Sequence, residues 1–199
     1  MRVLVVGATG TIGRAVVAAL EDRHEVFPVA HRSGALTVDL QDSASIARLY
    51  EKVGRVDAVV CAAGGTRFRP LSELSEEDFR FTLMHKLLGQ INLVRLGIRW
   101  VNDGGSFTLV SGTLARRPSR GGAAIAVANA GVEAFVASAA IELPRGIRIN
   151  SVSPGWVIET LKKMGHRAEG GTPASAVARA YVESIEGDAT GSVIEPGGA

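Results

Sequence analysis

The chain has 199 residues, 46% hydrophobic and 21% charged, which suits one folded core and excludes disordered and fibrous classes. Lys plus Arg number 22 against 20 Asp plus Glu, and the basic residues are scattered, so no face for nucleic acid stands out. A single cysteine, Cys61, excludes an intrachain disulfide. The opening Met1-Arg-Val-Leu enters a strand instead of a signal peptide, and no apolar run reaches the ~20 residues that span a bilayer. A cytoplasmic protein with no membrane contact is expected.

Short apolar runs alternate with helical patterns along the whole chain, the mark of a parallel sheet covered on both faces. The first strand, Val3–Val6, runs into Gly7-Ala8-Thr9-Gly10-Thr11-Ile12-Gly13 and then a helix, Thr11–Glu21. Strand, glycine turn and helix in that order make a dinucleotide fingerprint. Gly7 permits the tight turn, Gly10 lets backbone approach a pyrophosphate, and Gly13 allows close helix packing, with free amides at the helix start facing the phosphates.

The second strand is expected over Val26–Ala30, with Pro28 inside it as an irregularity. It ends Ala30-His31-Arg32-Ser33, without the carboxylate that holds a ribose 2′-hydroxyl. Arg32 and Ser33 suit a 2′-phosphate instead, so NADP(H) is expected over NAD(H). Further strands follow at Leu36–Asp39, Val56–Ala62, Ser106–Ser111, Ile147–Val152 and Ser192–Ile194. Helices are expected over Ser43–Val53, Glu76–Val101, Gly122–Leu143 and Pro173–Ile185. The whole of 1–199 therefore reads as one domain, a Rossmann-type doubly wound α/β fold of seven parallel strands. His24, His31 and His166 show no metal-ligand spacing with one another or with Cys61, and no metal is expected.

Taken with the glycine turn, several segments resemble the short-chain dehydrogenase/reductase family over nearly the full length. Val38-Asp39-Leu40 is similar to the family's adenine-contacting segment, and Cys61-Ala62-Ala63-Gly64 to the stretch after its fourth strand. Gly146 to Val157, with Pro154-Gly155-Trp156-Val157 at its end, resembles the sixth strand and the turn beside the nicotinamide. Thr190-Gly191 and Gly197-Gly198 resemble the closing strand and tail. The resemblance implies cofactor contacts from Gly7, Thr9, Gly10, Thr11, Ile12, Gly13, Arg32, Ser33, Asp39, Leu40, Ala62, Ala63, Gly64, Asn129, Pro154, Gly155, Trp156 and Val157. The spacing G-x-x-G-x-x-G is unlike the G-x-x-x-G-x-G of the family's standard members and closer to its extended and atypical branches.

The family's catalytic pattern is not met. Its Tyr position falls on Ile125, its Lys position on Asn129 and its Ser position on Gly112, one residue past Ser111. Ile125 has no proton to give, and Asn129 can bond a ribose but carries no charge. Ser111 and Thr113 are both reachable substitute hydroxyls, and Ser111 either serves as one or has a structural role at the end of the strand. The family's catalytic Asn maps onto Lys86, which either turns inward with a lowered pKa to act as proton donor or snorkels to solvent. His85 cannot share its direction, since neighbouring helix residues point about 100° apart.

After the sixth strand only Ile158 to Thr172 intervene before the last helix, so the substrate pocket is expected to be open or closed by a partner. Arg67 and Arg69 either recognise an anionic substrate or are solvated loop cations. Gly122–Leu143 is apolar nearly all round, and the resemblance implies a homodimer or homotetramer through it and Glu76–Val101. Two functions follow: an NADP(H)-dependent oxidoreductase of a carbonyl or alcohol with non-standard proton transfer through Ser111 and Lys86, or a catalytically silent NADP(H) sensor or scaffold.

Overall fold

In the computed structural model, which describes residues 1–197, all seven apolar runs pair in one parallel sheet of order β3-β2-β1-β4-β5-β6-β7. The strands are β1 (Arg2–Val6), β2 (Glu25–Ala30), β3 (Leu36–Thr37), β4 (Val56–Cys61), β5 (Val101–Val110), β6 (Arg148–Val152) and β7 (Val193–Ile194). The order reverses between β1 and β4, which opens a crevice beyond their C-terminal ends, the place where such sheets take ligands.

Alternation along each strand sorts the core into two layers. Val3 and Val5 of β1, with Ala58 and Val60 of β4, pack under α1 (Thr11–Leu20) and α7 (Ala174–Glu186). Leu4, Val6, Val59 and Cys61 face the other way, onto α2 (Ser43–Val53), α4 (Gly89–Gly97) and α5 (Ala123–Ala139). Two tyrosines close the layers. Tyr50 donates to Leu93 O at 2.7 Å, and Tyr181 to Cys61 O at 3.0 Å, so each buried hydroxyl is satisfied by a backbone carbonyl, and neither tyrosine lines a crevice cavity.

Pro28 sits within β2 at no cost to the ladder. Glu25 N bonds Met1 O and Val29 O accepts from Gly7 N, whereas Ala30 O accepts from Val38 N. Backbone groups alternate sides, so the missing Pro28 N–H points toward β3, which reaches only as far as Val29 and Ala30.

The continuous helix expected over Glu76–Val101 is a correction. It divides into α3 (Glu76–Thr82), a π-helical turn over Leu83–Leu88, α4, and a 3-10 turn over Ile98–Trp100. β5 then begins at Val101, five residues before the expected Ser106. Its first half, Asn102-Asp103-Gly104-Gly105, carries no apolar alternation; Gly105 passes so close to β4 that a methyl there would lie 2.5 Å from Asp57 O. The helix expected to reach Leu143 stops at Ala139. One short helix, α6 (Ile158–Lys163), has no counterpart among the expected elements. Gly198 and its tail role lie outside the described residues.

Candidate functional site: two cavities across the sheet crevice

The glycine turn is fixed by contacts that admit no side chain. Gly7 has φ +86°, and a methyl on it would lie 2.8 Å from Ala63 Cβ. A methyl on Gly13 would overlap the Gly7 carbonyl oxygen and stand 2.7 Å from its carbon, so α1 can begin this close to β1 only with glycine there. Gly10 caps α1 without a side-chain bond, leaving the first amides of the helix, those of Thr11, Ile12 and Gly13, directed at the crevice.

Beside this turn lies a cavity of ≈ 330 Å³ whose walls include Gly7, Thr9, Gly10, Asp39, Leu40, Ala62 and Ala63. Arg32 and Ser33 stand in the exposed turn just after Ala30 and His31, which do line it. Two histidines absent from the expected cofactor set, His31 and His85, also border this cavity. Burial lowers the His85 pKa below its usual value, outweighing the opposite pull of Asp39, and His31 and Arg67 add to the lowering. Phe81 stacks on the His85 ring at 4.2 Å between centroids, and the Arg67 guanidinium lies over Phe81 at 3.7 Å.

A second cavity of ≈ 250 Å³ shares Gly64 with the first and continues toward β5 and β6. It gathers Ile12, Lys86, Ser111, Gly112, Thr113, Ile125, Asn129 and the run Pro154–Val157. Lys86 is turned inward: it is 7% exposed, and its Nζ donates to Ser111 O at 3.2 Å. Burial brings its pKa down to about 8, against a weaker pull from Cys61. The π-helical turn that carries Lys86 sends its neighbour His85 to the first cavity. Gln90, fully buried one turn on, locks the arrangement. Its Nε2 bonds Lys86 O and Val110 O, and its Oε1 accepts from Val110 N at 2.8 Å.

Gly112 and Asn129 are complementary. Asn129 Nδ2 donates to Gly112 O at 3.1 Å, and a methyl on Gly112 would lie 2.8 Å from that same nitrogen. The side chain of Asn129 thus occupies the space that any side chain at 112 would need. Its Oδ1 is buried without a partner among the described residues, an unpaired acceptor that a hydroxyl would satisfy.

Ser111 also borders the second cavity, but its hydroxyl is turned away and donates to Glu133 Oε1 at 2.9 Å. Glu133 pairs with Arg116, which in turn bonds Glu195 and Ser153 Oγ.

Residues 7–186 match the family model described as enoyl-(acyl carrier protein) reductase. The chain belongs to the short-chain dehydrogenase/reductase family. A crystal structure of the protein lin1944 from Listeria innocua is 48% identical, with 98% of each chain covered and a TM-score of 0.94. A small-chain dehydrogenase crystallised in complex with NADPH is 26% identical, covering 98% of this chain and 95% of that one, with a TM-score of 0.86. Among curated proteins, 2,3-dihydro-2,3-dihydroxybenzoate dehydrogenase of Escherichia coli (strain K12) is 29% identical over 71% of this chain and 66% of its own length. Oxidoreductase UcpA of the same organism is 30% identical over 64% of this chain and 51% of its own length. The chain spans between half and two thirds of these curated relatives.

Short-chain dehydrogenases are oxidoreductases that bind nicotinamide cofactors, and the two cavities lie at the C-terminal crevice of the sheet. The first is built from the glycine turn and the segments 38–40 and 62–64. In the second the resemblance sets Ile125 and Asn129 in the Tyr and Lys places, and both line it. Sequence reasoning missed Gln90 and Glu133. Gln90 was visible only as one of several polar residues in its helix, beside Asn92 and Arg95, and Glu133 only as an interruption of an apolar one.

Proposed function

We propose that this chain is an NADP(H)-dependent oxidoreductase acting between a carbonyl and its alcohol, with Lys86 as the proton-carrying group. The observation that carries this reading is the Lys86 ammonium, buried in the second cavity with a pKa near 8. A general acid works best when its pKa lies near the working pH.

The amides of Thr11, Ile12 and Gly13, with Gly7, Thr9 and Gly10, would hold the pyrophosphate. Asp39, Leu40 and the run Ala62–Gly64 would face the adenosine, and Arg32 with Ser33 the 2′-phosphate. NADP(H) is favoured over NAD(H) because β2 ends without a carboxylate. Asn129 Oδ1 would accept from a ribose hydroxyl, which supplies its missing partner. Pro154–Val157 would wall the nicotinamide.

When bound, the nicotinamide supplies a hydride to the carbonyl carbon. Lys86 Nζ gives a proton to the oxygen as alkoxide charge develops there, and its charge stabilises that oxygen before transfer. Thr113, which lines the second cavity, would hold the same oxygen through its hydroxyl. Ser111 contributes its carbonyl as the anchor of Lys86; its hydroxyl would have to leave Glu133 to reach substrate.

Leu88 (39% exposed) and Val127 (51% exposed) present apolar surface on the π-helical turn and α5, which supports a homo-oligomer through these helices. The one cysteine, a buried free thiol, is consistent with a cytoplasmic protein.

The second reading is a silent NADP(H) sensor or scaffold, favoured by Ile125, which lines the cavity with no proton to offer. Mixing the protein with NADPH and a panel of aldehydes, ketones and quinones, and following nicotinamide absorbance, separates the two. Oxidation by one class supports the enzyme. Tight NADPH binding with no oxidation by any supports the sensor.

A further inference from the structure

Outside the second cavity lies a third and larger one, ≈ 650 Å³, between the loop that follows β4 and the loop that precedes α5. Its walls are apolar: Phe68, Pro70, Leu71, Pro118 and Ala126. The two loops are joined, since Arg69 N donates to Gly121 O at 3.1 Å and Phe68 packs against Gly121. Gly121 has φ +80°, and a methyl there would stand 3.2 Å from Phe68 Cε1, so this turn is shaped to bring the loops together.

The wall between the second and third cavities is an aromatic pair. Phe68 of the outer cavity and Trp156 of the inner one meet edge to face, with centroids 5.4 Å apart and planes at 82°. Both rings are more than two-fifths exposed, an open aromatic surface beside a site for chemistry.

The rim is cationic. Five arginines stand on the two loops, at 67, 69, 116, 117 and 120, and their ion-pair partners among the described residues are three carboxylates, Asp78, Glu133 and Glu195. Arg120, which lines the outer cavity, makes no ion pair among the described residues. Arg69, also lining it, reaches Asp78 only at 3.6 Å.

We propose that the third cavity is the specificity pocket of this enzyme and that its substrate is an organic anion. The apolar, aromatic body of that substrate lies against Phe68 and Trp156, its acidic group pairs with Arg120 and Arg69, and its carbonyl reaches the Lys86 cavity. The inference rests on the oxidoreductase reading for the last of these contacts and on the cavity alone for the first two. A guanidinium with no partner is the group best suited to grip a carboxylate through two bonds, and an apolar wall below it excludes small hydrophilic anions.

The test compares 4-carboxybenzaldehyde with its methyl ester, which keeps the aromatic aldehyde and removes the charge. Calorimetry and tryptophan fluorescence report binding without turnover; nicotinamide absorbance reports turnover. The acid is expected to bind about tenfold more tightly than the ester, the yield of one charge-assisted contact. Arg120→Gln should remove most of that preference while leaving NADPH affinity and binding of the ester unchanged. Equal binding of acid and ester, no binding of either, or a preference that survives Arg120→Gln overturns the pocket. Preferential binding of the acid, with no NADPH oxidation by it or by any compound of the carbonyl panel, keeps the pocket and removes the oxidoreductase reading. Oxidation of NADPH by both compounds at equal efficiency does the reverse.

Discussion

The two cavities that meet at Gly64 are built by different means. The first is made largely of backbone: glycines where no methyl fits, free amides at the start of α1, and the small residues Ala62 to Gly64 just after β4. The second is made of side chains that depend on one another across the fold. Lys86 is held by Ser111 O and Gln90, and Gly112 is made necessary by Asn129. A site of the first kind fails when space is filled; one of the second kind fails when a partner is removed, and can be restored by changing both partners together.

The largest effect is expected at Lys86. Lys86→Met keeps the length of the stem and removes the proton, so reductase kcat/KM should fall ~10²–10⁴-fold, the worth of positioned general acid catalysis. NADPH affinity by calorimetry should change little, which distinguishes loss of chemistry from loss of fold. The wild-type reduction rate should hold below pH 8 and decline above it, as the ammonium with its pKa near 8 loses its proton. Stability runs the other way. The folded pKa lies below the ordinary lysine value, so the cost of burying the charge is present in full below pH 8 and is relieved as pH rises toward ~10.4. Chemical denaturation across that window should show stability rising in the wild type and a smaller slope in Lys86→Met. A flat rate profile through pH 8 would remove Lys86 as the acid.

The first cavity gives the next effect. Gly13→Ala places a methyl against the Gly7 carbonyl, and relief requires α1 to move away from the turn. Overpacking of this kind costs ~1–3 kcal/mol, and the top of that range converts to about a hundredfold weaker NADPH binding. Calorimetry reads the affinity and circular dichroism the fold; unchanged affinity would mean that the amides of α1 do not face the phosphates.

How much of this was legible in the sequence follows the same division. The seven strands and the glycine turn announce themselves locally, because apolar alternation and glycine at fixed spacing are properties of neighbours in the chain. The first half of β5 was hidden because Asn102 to Gly105 are polar or lack side chains, and they form a bulge between the pairs Val101–Val56 and Ser106–Ala58 where the register with β4 shifts. The break in Glu76–Val101 was hidden because a π-helical turn keeps an apolar pattern while advancing it by one residue. Lys86 was legible as a candidate by resemblance, but its direction depends on Gln90 holding Val110, twenty residues away. The turning of Ser111 to Glu133 depends on a residue of α5 that local sequence gives no reason to pair with it.

Gly112 and Asn129 test whether the second cavity is a set of coupled choices. Gly112→Ser alone should destabilise the fold by ~1–3 kcal/mol, because its Cβ meets Asn129 Nδ2. In an Asn129→Ala background the same substitution should cost far less, and thermal unfolding of the four proteins gives the coupling. Additive costs would mean that the two positions are independent.

The smallest expected effect lies at the edge of the first region. Lys163, at the end of α6, donates to Thr11 Oγ1 at 2.9 Å, which sets an ammonium beside the start of α1 where a pyrophosphate would sit. It is exposed, so solvent and salt screen it, and in the proposed site the glycine turn would supply most of the binding without it. Lys163→Ala should therefore weaken NADPH only a few-fold at low ionic strength, and the difference from wild type should vanish near 1 M salt, where the screening length is ~3 Å. An effect that persists in high salt would instead assign Lys163 a structural part, holding α6 against α1. The salt dependence, more than the size of the change, separates a long-range charge from a contact that shapes the site.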